Sequence, residues 1–267
     1  MIPIPRLYTE IFCDLYGTIL DIHTDEDDPL LWDKMCAYMR AQGAICESGA
    51  QLFAKYQQDM DVAQKSGEAL RGKYVEIDVV PVWKKLYKQF SVDADDTMAY
   101  ATARHFHQES TSVLRPYPHA KEFLHVLQYD LNIRPILVSN AQAAYTVADL
   151  REHGLDELFN RIFLSSDFGV KKPDKRFFDY ALEQCNVERS HVVYIGNEIG
   201  CDIEGATHAG IDAIYLHTPL SVKTDPSQSE LAVLNVEGAN YDAVLSWFTG
   251  RETHIQGEGV DAHIAFA

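Results

Sequence analysis

The sequence feature that most constrains the fold is an apolar segment that ends at a carboxylate, within residues 11–20. The segment 11–13, Ile-Phe-Cys, meets Asp14, and Gly17 and Thr18 follow closely. A buried parallel strand ends in this way when the carboxyl edge of its sheet carries chemistry, because α/β sheets open their ligand crevices there. A glycine at this point lets backbone amides approach an anion. The pattern therefore predicts a reactive or ligand-binding carboxylate at a strand end.

Composition limits the class of protein and of partner. The chain has 267 residues, of which 46% are apolar, so it can bury one large core or two smaller ones. Its 23 basic and 40 acidic residues give a net charge of −17, which repels nucleic acid and anionic lipid, and we expect neither as a partner. Five cysteines without a Cys-x-x-Cys pair predict free thiols in a reducing cytosol.

The chain shows no targeting or membrane signal. Its first residues, Met-Ile-Pro-Ile-Pro-Arg, lack the charged and apolar regions of a signal peptide. No stretch reaches the roughly 18 apolar residues that a membrane span needs. We therefore expect a cytoplasmic protein.

Apolar periodicity divides the chain into segments of different character. Between residues 28 and 113 the apolar residues recur with helical spacing, which predicts four amphipathic helices, with Ser48, Asp78 and Asp93 as caps, and no strand. After residue 115, predicted strands alternate with predicted helices, which indicates a parallel sheet with right-handed crossovers. The predicted strands are 134–138, 162–164, 191–195, 212–216 and 231–235. The predicted helices are 119–129, 143–153, 174–186, 202–209 and 240–248.

These patterns predict an α/β fold with a Rossmann-like parallel sheet core and an inserted α-helical cap domain. The core is expected to comprise residues 1–20 and 115–250, and the cap residues 21–114. Residues 251–267 are expected to form a mobile tail or a surface-packed extension.

Four polar clusters fall at predicted strand ends or helix starts, where a crevice would bring them together. In chain order they are Asp14 with Tyr16 and Thr18, then Ser139-Asn140, then Lys172, and finally Asn197 with Glu198 and Asp202. Their types and order resemble the four motifs of the haloacid dehalogenase-like hydrolase superfamily. The helical segment lies where members of that superfamily insert a cap, and the resemblance extends from Asp14 to about Ala213.

The resemblance implies a hydrolase with Asp14 as nucleophile. A carboxylate that attacks phosphorus or carbon divides hydrolysis into two easier steps. Lys172 would neutralise both this carboxylate and the charge that develops on the transferred group. Hydroxyl and amide donors suit the oxygens of a phosphoryl or carboxylate group, although Ser-Asn after a strand is also an ordinary helix cap. The predicted catalytic residues are Asp14, Tyr16, Thr18 and Lys172, and the predicted substrate-binding residues are Gly17, Ser139, Asn140 and Asn197.

An acidic pair in the fourth cluster predicts a Mg²⁺ site. Glu198 and Asp202 lie four residues apart at a helix start, and with Asp14 and the main-chain carbonyl of Tyr16 they form an all-oxygen ligand set. The alternative for Asp202 is a hydrogen bond to Lys172. The eleven histidines show no His-x-x-x-His or Cys-His grouping, so zinc is not expected.

Two positions depart from the phosphatases of the superfamily. Tyr16 occupies the place of their second aspartate and is typical of the 2-haloacid dehalogenase branch, whereas Asn197 stands where they commonly carry aspartate. That branch needs no metal and uses an arginine early in the cap to receive halide, for which Arg40 is the first candidate. An acidic pair would repel an anionic haloacid in a site without a cation, which favours a metal and phosphoryl transfer.

Three interpretations stay open. The favoured one is a Mg²⁺-dependent phosphatase that acts on a small phosphorylated metabolite through an aspartyl-phosphate intermediate. The second is a metal-independent 2-haloacid dehalogenase with the same nucleophile, Asp14. The third is a catalytically degenerate binding protein of the same fold. Neither the identity of the substrate nor the oligomeric state follows from the sequence.

Overall fold

The structure is a computed structural model, and it describes residues 8–266 of the chain. The first seven residues of the predicted core segment, which include the N-terminal pattern considered above, lie outside the described residues. So does the last residue of the predicted tail. Within residues 8–266, no helix is both long and apolar enough to cross a membrane.

A six-stranded sheet in which all strands are parallel forms the centre of the molecule, as predicted. In spatial order its strands are β5 (Arg161–Leu164), β4 (Arg134–Ser139), β1 (Glu10–Cys13), β6 (Val192–Gly196), β7 (Asp212–His217) and β8 (Leu234–Glu237). The chain runs outward from β1 to β5 on one side and from β6 to β8 on the other. Strand order therefore reverses between β1 and β6, which places a crevice at the carboxyl ends of these strands.

Each face of the sheet buries its own apolar cluster, because successive residues of a strand point to opposite faces. Ile11 belongs to the cluster covered by α5 (Ala120–Tyr129), α6 (Ala143–Glu152) and α10 (Tyr241–Thr249). Phe12 belongs to the cluster on the other face. The short helix α7 (Ser165–Phe168) follows β5, and that second face is covered by α8 (Lys175–Cys185) and α9 (Glu204–His208).

Four helices enclose a third apolar cluster, separate from those of the sheet. They are α1 (Pro29–Ala41), α2 (Gly49–Arg71), α3 (Val79–Gln89) and α4 (Asp96–Ser110). Trp32 and Trp83 are fully buried within this cluster. Ser48 and Asp78 cap α2 and α3 as predicted, but α4 is capped by Asp95, whose side chain accepts a hydrogen bond from the Met98 amide, instead of by Asp93. We refer to these helices as the cap.

A two-stranded antiparallel ribbon joins the cap to the sheet. It pairs β2 (Leu20–Thr24) with β3 (Thr111–Pro116). The prediction that no strand occurs between residues 28 and 113 is wrong at 111–113, because these residues gain their partners from a strand about 90 positions earlier in the chain. The predicted boundaries at residues 20 and 114 fall inside this ribbon, so the division into core and cap segments stays a proposal.

Two local predictions are corrected, and a third is narrowed to one of its alternatives. The last strand of the sheet lies at 234–237 instead of 231–235. The helix predicted over 202–209 begins earlier, with a π-helical turn at Ile199–Ile203 that continues into α9. The C-terminal segment is a hairpin of β9 (Thr253–Gln256) and β10 (His263–Phe266) that packs on α10 and α5, and is thus a surface-packed extension.

The prediction of free thiols is wrong for two cysteines. Cys36 in α1 and Cys46 in the following loop form a disulfide, with their Cα atoms 5.9 Å apart. The loop turns back on the end of α1 and brings these residues together, which their spacing alone did not indicate. Cys13, Cys185 and Cys201 are free thiols.

Candidate active site

The turn after β1 holds Asp14 at the carboxyl edge of the sheet, where it is 7% exposed. The next turn requires a glycine, because Gly17 has a φ of +85° and a Cβ there would lie 2.4 Å from Asn197 Nδ2. Two side chains from the distant C-terminal part of the chain anchor this turn. The Thr218 hydroxyl donates to the Gly17 carbonyl at 2.8 Å, and the Tyr241 hydroxyl donates to the Thr18 carbonyl at 2.7 Å.

Lys172 is the centre of a buried charge cluster. Its ammonium group donates to Asp14 Oδ1 and to Asp202 Oδ1, both at 2.7 Å, and to the Tyr194 hydroxyl at 2.6 Å. The side chain is 2% exposed, and its three N–H groups all have partners. The Tyr194 hydroxyl also lies 3.0 Å from Asp202 Oδ1. Lys172 therefore links Asp14, the predicted nucleophile, to Asp202 of the fourth cluster. This contact is the hydrogen bond that the sequence analysis gave as the alternative to metal binding by Asp202.

Burial and charge act on these groups in opposite directions. Burial raises the pKa of Asp14, and the neighbouring Lys172 ammonium opposes that rise without cancelling it. Burial lowers the pKa of Lys172, but attraction by Asp14 and Asp202 outweighs it, so the pKa of this lysine is raised. Lys172 is therefore a fixed positive charge beside a carboxylate that binds a proton more readily than an exposed aspartate does.

Asp202 is saturated with hydrogen-bond donors. Besides Lys172 and Tyr194 on one oxygen, its Oδ2 accepts from the backbone amides of Asn197 and Glu198, at 3.1 and 3.0 Å. These contacts fix the turn after β6 and point the lysine at Asp14. In this arrangement both oxygens of Asp202 are already occupied.

Hydroxyl and amide side chains surround the Asp14 carboxylate. Ser139 Oγ donates to Asp14 Oδ1 at 2.9 Å. Thr18 Oγ1 lies 3.5 Å from Asp14 Oδ2 and 3.2 Å from Asn197 Oδ1, and its single proton can serve only one of these acceptors at a time. Asp14 Oδ2 is therefore only weakly engaged.

Asn140 acts on the lysine through its backbone. Its Oδ1 accepts from the Lys172 amide at 2.8 Å, and its Nδ2 donates to the Lys172 carbonyl at 3.1 Å. This double contact fixes the backbone from which the lysine side chain extends. Asn140 thus has a positioning contact as well as a place in the cavity wall.

A cavity of about 150 Å³ opens at this cluster and brings eight predicted residues together. It is lined by Asp14, Tyr16, Ser139, Asn140, Lys172, Asn197, Glu198 and Asp202, together with Cys201 and Leu220. Gly17 and Thr18, the other two predicted residues, form the turn beside it. The lining contains no arginine and no residue of the cap helices. Space of this size suits a phosphoryl or carboxylate group, so a larger substrate would have to extend beyond it.

The hydroxyl of Tyr16 is held away from the nucleophile. It donates to Asp149 Oδ2 at 2.7 Å and lies 3.2 Å from Thr146 Oγ1, both in α6. His107 of α4 lies with Nε2 2.9 Å from the same oxygen of Asp149. Burial, with the Asp149 carboxylate next in size, raises the pKa of Tyr16 well above its ordinary value, so this residue stays protonated and is unsuited to be a base.

Sequence reasoning missed three of these residues. Tyr194 lies in a buried strand, and a buried tyrosine hydroxyl normally needs a partner, which was the one available signal. His107 and Asp149 gave no signal, because their pairing arises only when the cap meets α6. Arg40, the halide-binding candidate, donates to the backbone carbonyls of Cys46 and Glu47 in the cap.

The oxygen atoms beside Asp14 are the candidate ligands of a Mg²⁺ ion. Within residues 8–266, no three or more His, Cys, Asp or Glu side chains are grouped to hold a metal ion. Asn197 Oδ1, however, has only a share of the Thr18 hydroxyl proton, and the lining adds the carboxylates of Asp14 and Glu198. Oxygen ligands that are short of donors suit a hard cation, so this set, with the Tyr16 carbonyl, fits Mg²⁺ better than the saturated Asp202 does.

Comparison with known proteins agrees with the geometry. Residues 45–216, which are more than half of the chain, match the family model of the haloacid dehalogenase-like hydrolases. The chain belongs to this family. The order of its motifs implied the same family.

Two of the curated relatives are named as a nucleotidase and as a phosphatase. Pyrimidine 5′-nucleotidase YjjG of Escherichia coli is 33% identical over 106 residues, which cover 39% of this chain and 46% of YjjG. A glyceraldehyde 3-phosphate phosphatase of Methanothermobacter thermautotrophicus is 32% identical over 118 residues, which cover 43% of this chain and 51% of that protein. The chain thus spans about half the length of these relatives.

Solved structures share the fold over nearly the whole chain. A 2-haloacid dehalogenase of Pseudomonas syringae superposes with a TM-score of 0.64 at 18% identity, over 91% of this chain and 99% of that one. YfnB of Bacillus subtilis, solved bound to magnesium, superposes with a TM-score of 0.51 at 22% identity, over 90% and 98%. At these identities the likeness concerns the fold alone.

Proposed function

We propose that this hydrolase is a Mg²⁺-dependent phosphatase that acts on a small phosphorylated metabolite. One observation carries the proposal: Asp14 has one oxygen held by Lys172 and Ser139 and the other oxygen weakly engaged beside a cavity of phosphoryl size. An oriented carboxylate with one free oxygen is what nucleophilic attack requires. The phosphatase names of the curated relatives support the same class of substrate.

The proposed reaction has two steps. First, Asp14 Oδ2 attacks the phosphorus, the bond from phosphorus to the ester oxygen breaks, and the departing oxygen takes a proton from water. An aspartyl-phosphate forms on Asp14. Water then attacks the phosphorus, the bond to Oδ2 breaks, and inorganic phosphate leaves with the carboxylate restored. Lys172 and Ser139 hold the carboxylate in both steps and offset charge on the transferred group.

The charge balance of the site explains why a cation is part of the proposal. Asp14, Asp202 and Glu198 line the cavity, and Lys172 is the only basic residue that does so among the described residues. A phosphate dianion entering such a cavity meets net repulsion. When bound, Mg²⁺ supplies the positive charge that offsets this repulsion. We assign its ligands to Asp14, the Tyr16 carbonyl and Glu198 or Asn197, and we assign Asp202 to positioning Lys172.

The 2-haloacid dehalogenase is the second candidate, and Tyr16 favours it. A tyrosine whose hydroxyl is bound to Asp149 provides no acid or base at the cavity, and a dehalogenase that expels halide needs no proton on its leaving group. Against this, Arg40 is committed to backbone carbonyls in the cap. The cavity therefore offers no guanidinium for the halide. We rank the phosphatase first for that reason.

The experiment that separates the candidates is a substrate panel with and without metal. Purified protein is incubated with nucleoside monophosphates, triose and sugar phosphates, p-nitrophenyl phosphate and short 2-haloacids, in Mg²⁺ or in EDTA. We expect phosphate release in Mg²⁺ that stops with EDTA and returns with added Mg²⁺. Halide release that does not respond to EDTA would instead establish the dehalogenase. Absence of both reactions would favour the degenerate binding protein.

A further inference from the structure

A short segment of the cap, residues 74–79, lies across the sheet domain and contacts two loops of the active site. We call it the strap. Its backbone pairs with the loop that precedes Lys172: the Lys171 amide donates to the Tyr74 carbonyl at 2.8 Å, and the Glu76 amide to the Gly169 carbonyl at 3.2 Å. Val75 and Val170 form an antiparallel β-bridge between these contacts, and both are buried. The strap therefore lies antiparallel to the loop that precedes Lys172, which we call the lysine loop.

Side chains attach the strap to the second loop, which follows Ser139 and Asn140. Glu76 Oε2 accepts from Ser165 Oγ at 2.8 Å, and Ser165 Oγ in turn accepts from the Ala141 amide at 3.0 Å. Gln142 Nε2 donates to the Ile77 carbonyl at 2.8 Å and lies 3.3 Å from Glu76 Oε1. Gln142 Oε1 accepts from the Val79 amide at the start of α3. Ser165 is fully buried and Gln142 nearly so, which shields these bonds from water.

These contacts enclose the backbone of Lys172 from two sides. Asn140 holds it from one side through two hydrogen bonds, and the strap holds the neighbouring Lys171 from the other. The side chain of Glu76 contacts Ser165, at the start of the short helix that leads into the lysine loop, and Gln142 of the second loop. A carboxylate can accept several hydrogen bonds at once, so Glu76 ties these two residues together. The position of the lysine thus depends on a carboxylate contributed by the cap.

We propose that Glu76 is a positioning residue, and that docking of the strap places the Lys172 ammonium between Asp14 and Asp202. Docking of the cap and assembly of the charge cluster are then one event. A substrate that enters through an opened cap meets a mobile lysine, and closure of the strap brings that lysine to the nucleophile. The kinetic consequence rests on the proposed phosphatase function, whereas the structural coupling does not.

Hydrogen exchange of the protein without substrate tests the coupling directly. Glu76→Ala should accelerate exchange of the amides of residues 168–172 about tenfold or more and leave β6 unchanged. Glu68→Ala is the matched control, since Glu68 is exposed and bonds only to Gln64 in its own helix. Gln142→Ala, which releases the strap from the other side, should reproduce the effect if Glu76→Ala fails to fold. Unchanged exchange at 168–172 in a folded variant would overturn the proposal.

Kinetics with the substrate found by the panel tests whether Glu76 acts through the lysine. In the wild-type background, Glu76→Ala should lower kcat about tenfold, and Glu76→Gln, which keeps one acceptor for Ser165, should recover part of the loss. In a Lys172→Arg background the same change should cost less than twofold, because the ammonium is already absent. Equal losses in both backgrounds would show an independent structural role and reject positioning. Failure of the panel would remove this arm and leave the exchange result decisive.

Discussion

Two buried carboxylates in this molecule have similar partners and different surroundings. Asp202 accepts from the Tyr194 hydroxyl and the Lys172 ammonium, and Asp149 accepts from the Tyr16 hydroxyl beside His107. Each carboxylate therefore pairs with one tyrosine and one basic side chain. They differ in the location of the basic side chain. Lys172 also contacts Asp14, the proposed nucleophile, whereas His107 belongs to the cap.

The difference shows that similar hydrogen-bond chemistry can serve either reactivity or docking. The hydrogen-bond partners of Asp202 lie in the sheet domain, so the cap acts on this network only through the strap and the backbone of Lys172. The His107 contact of Asp149 instead joins α4 to α6, so this contact exists only while the cap is seated, whereas the Tyr16 contact lies within the sheet domain. We therefore expect changes around Asp202 to act on turnover, and changes around Asp149 to act on stability of the closed form.

The largest expected effect comes from substitution of Asp14, which the Asp202 network contacts through Lys172. Asp14→Asn should lower kcat by at least about 10³-fold, because the amide has nearly the same shape but cannot attack. Circular dichroism and the unfolding midpoint check that the fold is kept. Mass spectrometry of the variant checks that asparagine has not deamidated to aspartate. Turnover near the wild-type rate in a verified variant would reduce Asp14 to a structural role.

Matched substitutions of the two carboxylates test the comparison itself. Asp202→Asn should lower kcat by about 10²-fold, since the lysine loses one of its two anionic partners and its hold beside the nucleophile weakens. Asp149→Asn should change kcat by less than about tenfold, because no partner of Asp149 contacts Asp14. Both rates are measured with the same substrate under saturation. The reverse order of effects would contradict the assignment of reactivity to one network and docking to the other.

At the cap, we expect substitutions around Asp149 to affect the stability of the protein more than its turnover. His107→Ala removes a partner from Asp149 at a buried position, and should lower the free energy of unfolding by about 1.5–3 kcal/mol. Urea unfolding followed by tryptophan fluorescence measures the change, with Trp32 and Trp83 reporting from the cap. His105→Ala, on the same helix and stacked on Tyr38, is the comparison variant. Equal losses in both variants would mean that the Asp149 contact has no special weight.

The smallest expected effect is a displacement of the pH profile. Only the ionised form of Asp14 can attack, and burial raises the pKa of this carboxyl above its usual range of about 4. The value of kcat/KM should therefore rise with pH through that raised pKa, and activity should be lost on acidification earlier than an exposed aspartate would allow. A profile of kcat/KM against pH measures the acidic limb, with the binding of a non-hydrolysable phosphonate analogue measured at each pH as the control. An acidic limb with a pKa at or below that of an exposed aspartate would contradict the prediction.

The fold was largely predictable because its signals are local. Helical spacing between residues 28 and 113 and strand–helix alternation afterwards reflect the burial of one face of each element. The β2–β3 ribbon was not predictable in this way, since its strands pair across about 90 residues. The disulfide of Cys36 and Cys46 was missed for a related reason, because it depends on how the loop after α1 turns.

The positions of site residues were predictable where these residues directly follow a strand. They were unpredictable where a contact depends on how distant elements pack. Asp14, Ser139 and Asn197 converge because parallel strands deliver their carboxyl ends to one edge. The direction of the Tyr16 hydroxyl could not be read from its motif, since its partner in α6 lies 133 positions away. The strap escaped notice because its partners in the sheet domain lie at least 63 positions away in the chain, and such long-range contacts leave no mark in local patterns.

The two anchors of the catalytic turn have a consequence for biosynthesis. The carbonyls of Gly17 and Thr18 are held by Thr218 and Tyr241, more than 200 positions later in the chain. The strand that carries Asp14 is therefore synthesised more than 200 residues before the side chains that hold its turn. Such long-range closure delays ordering of the turn until most of the chain is available. A truncated or stalled chain would contain every acidic and basic residue of the active site and still lack a formed nucleophile.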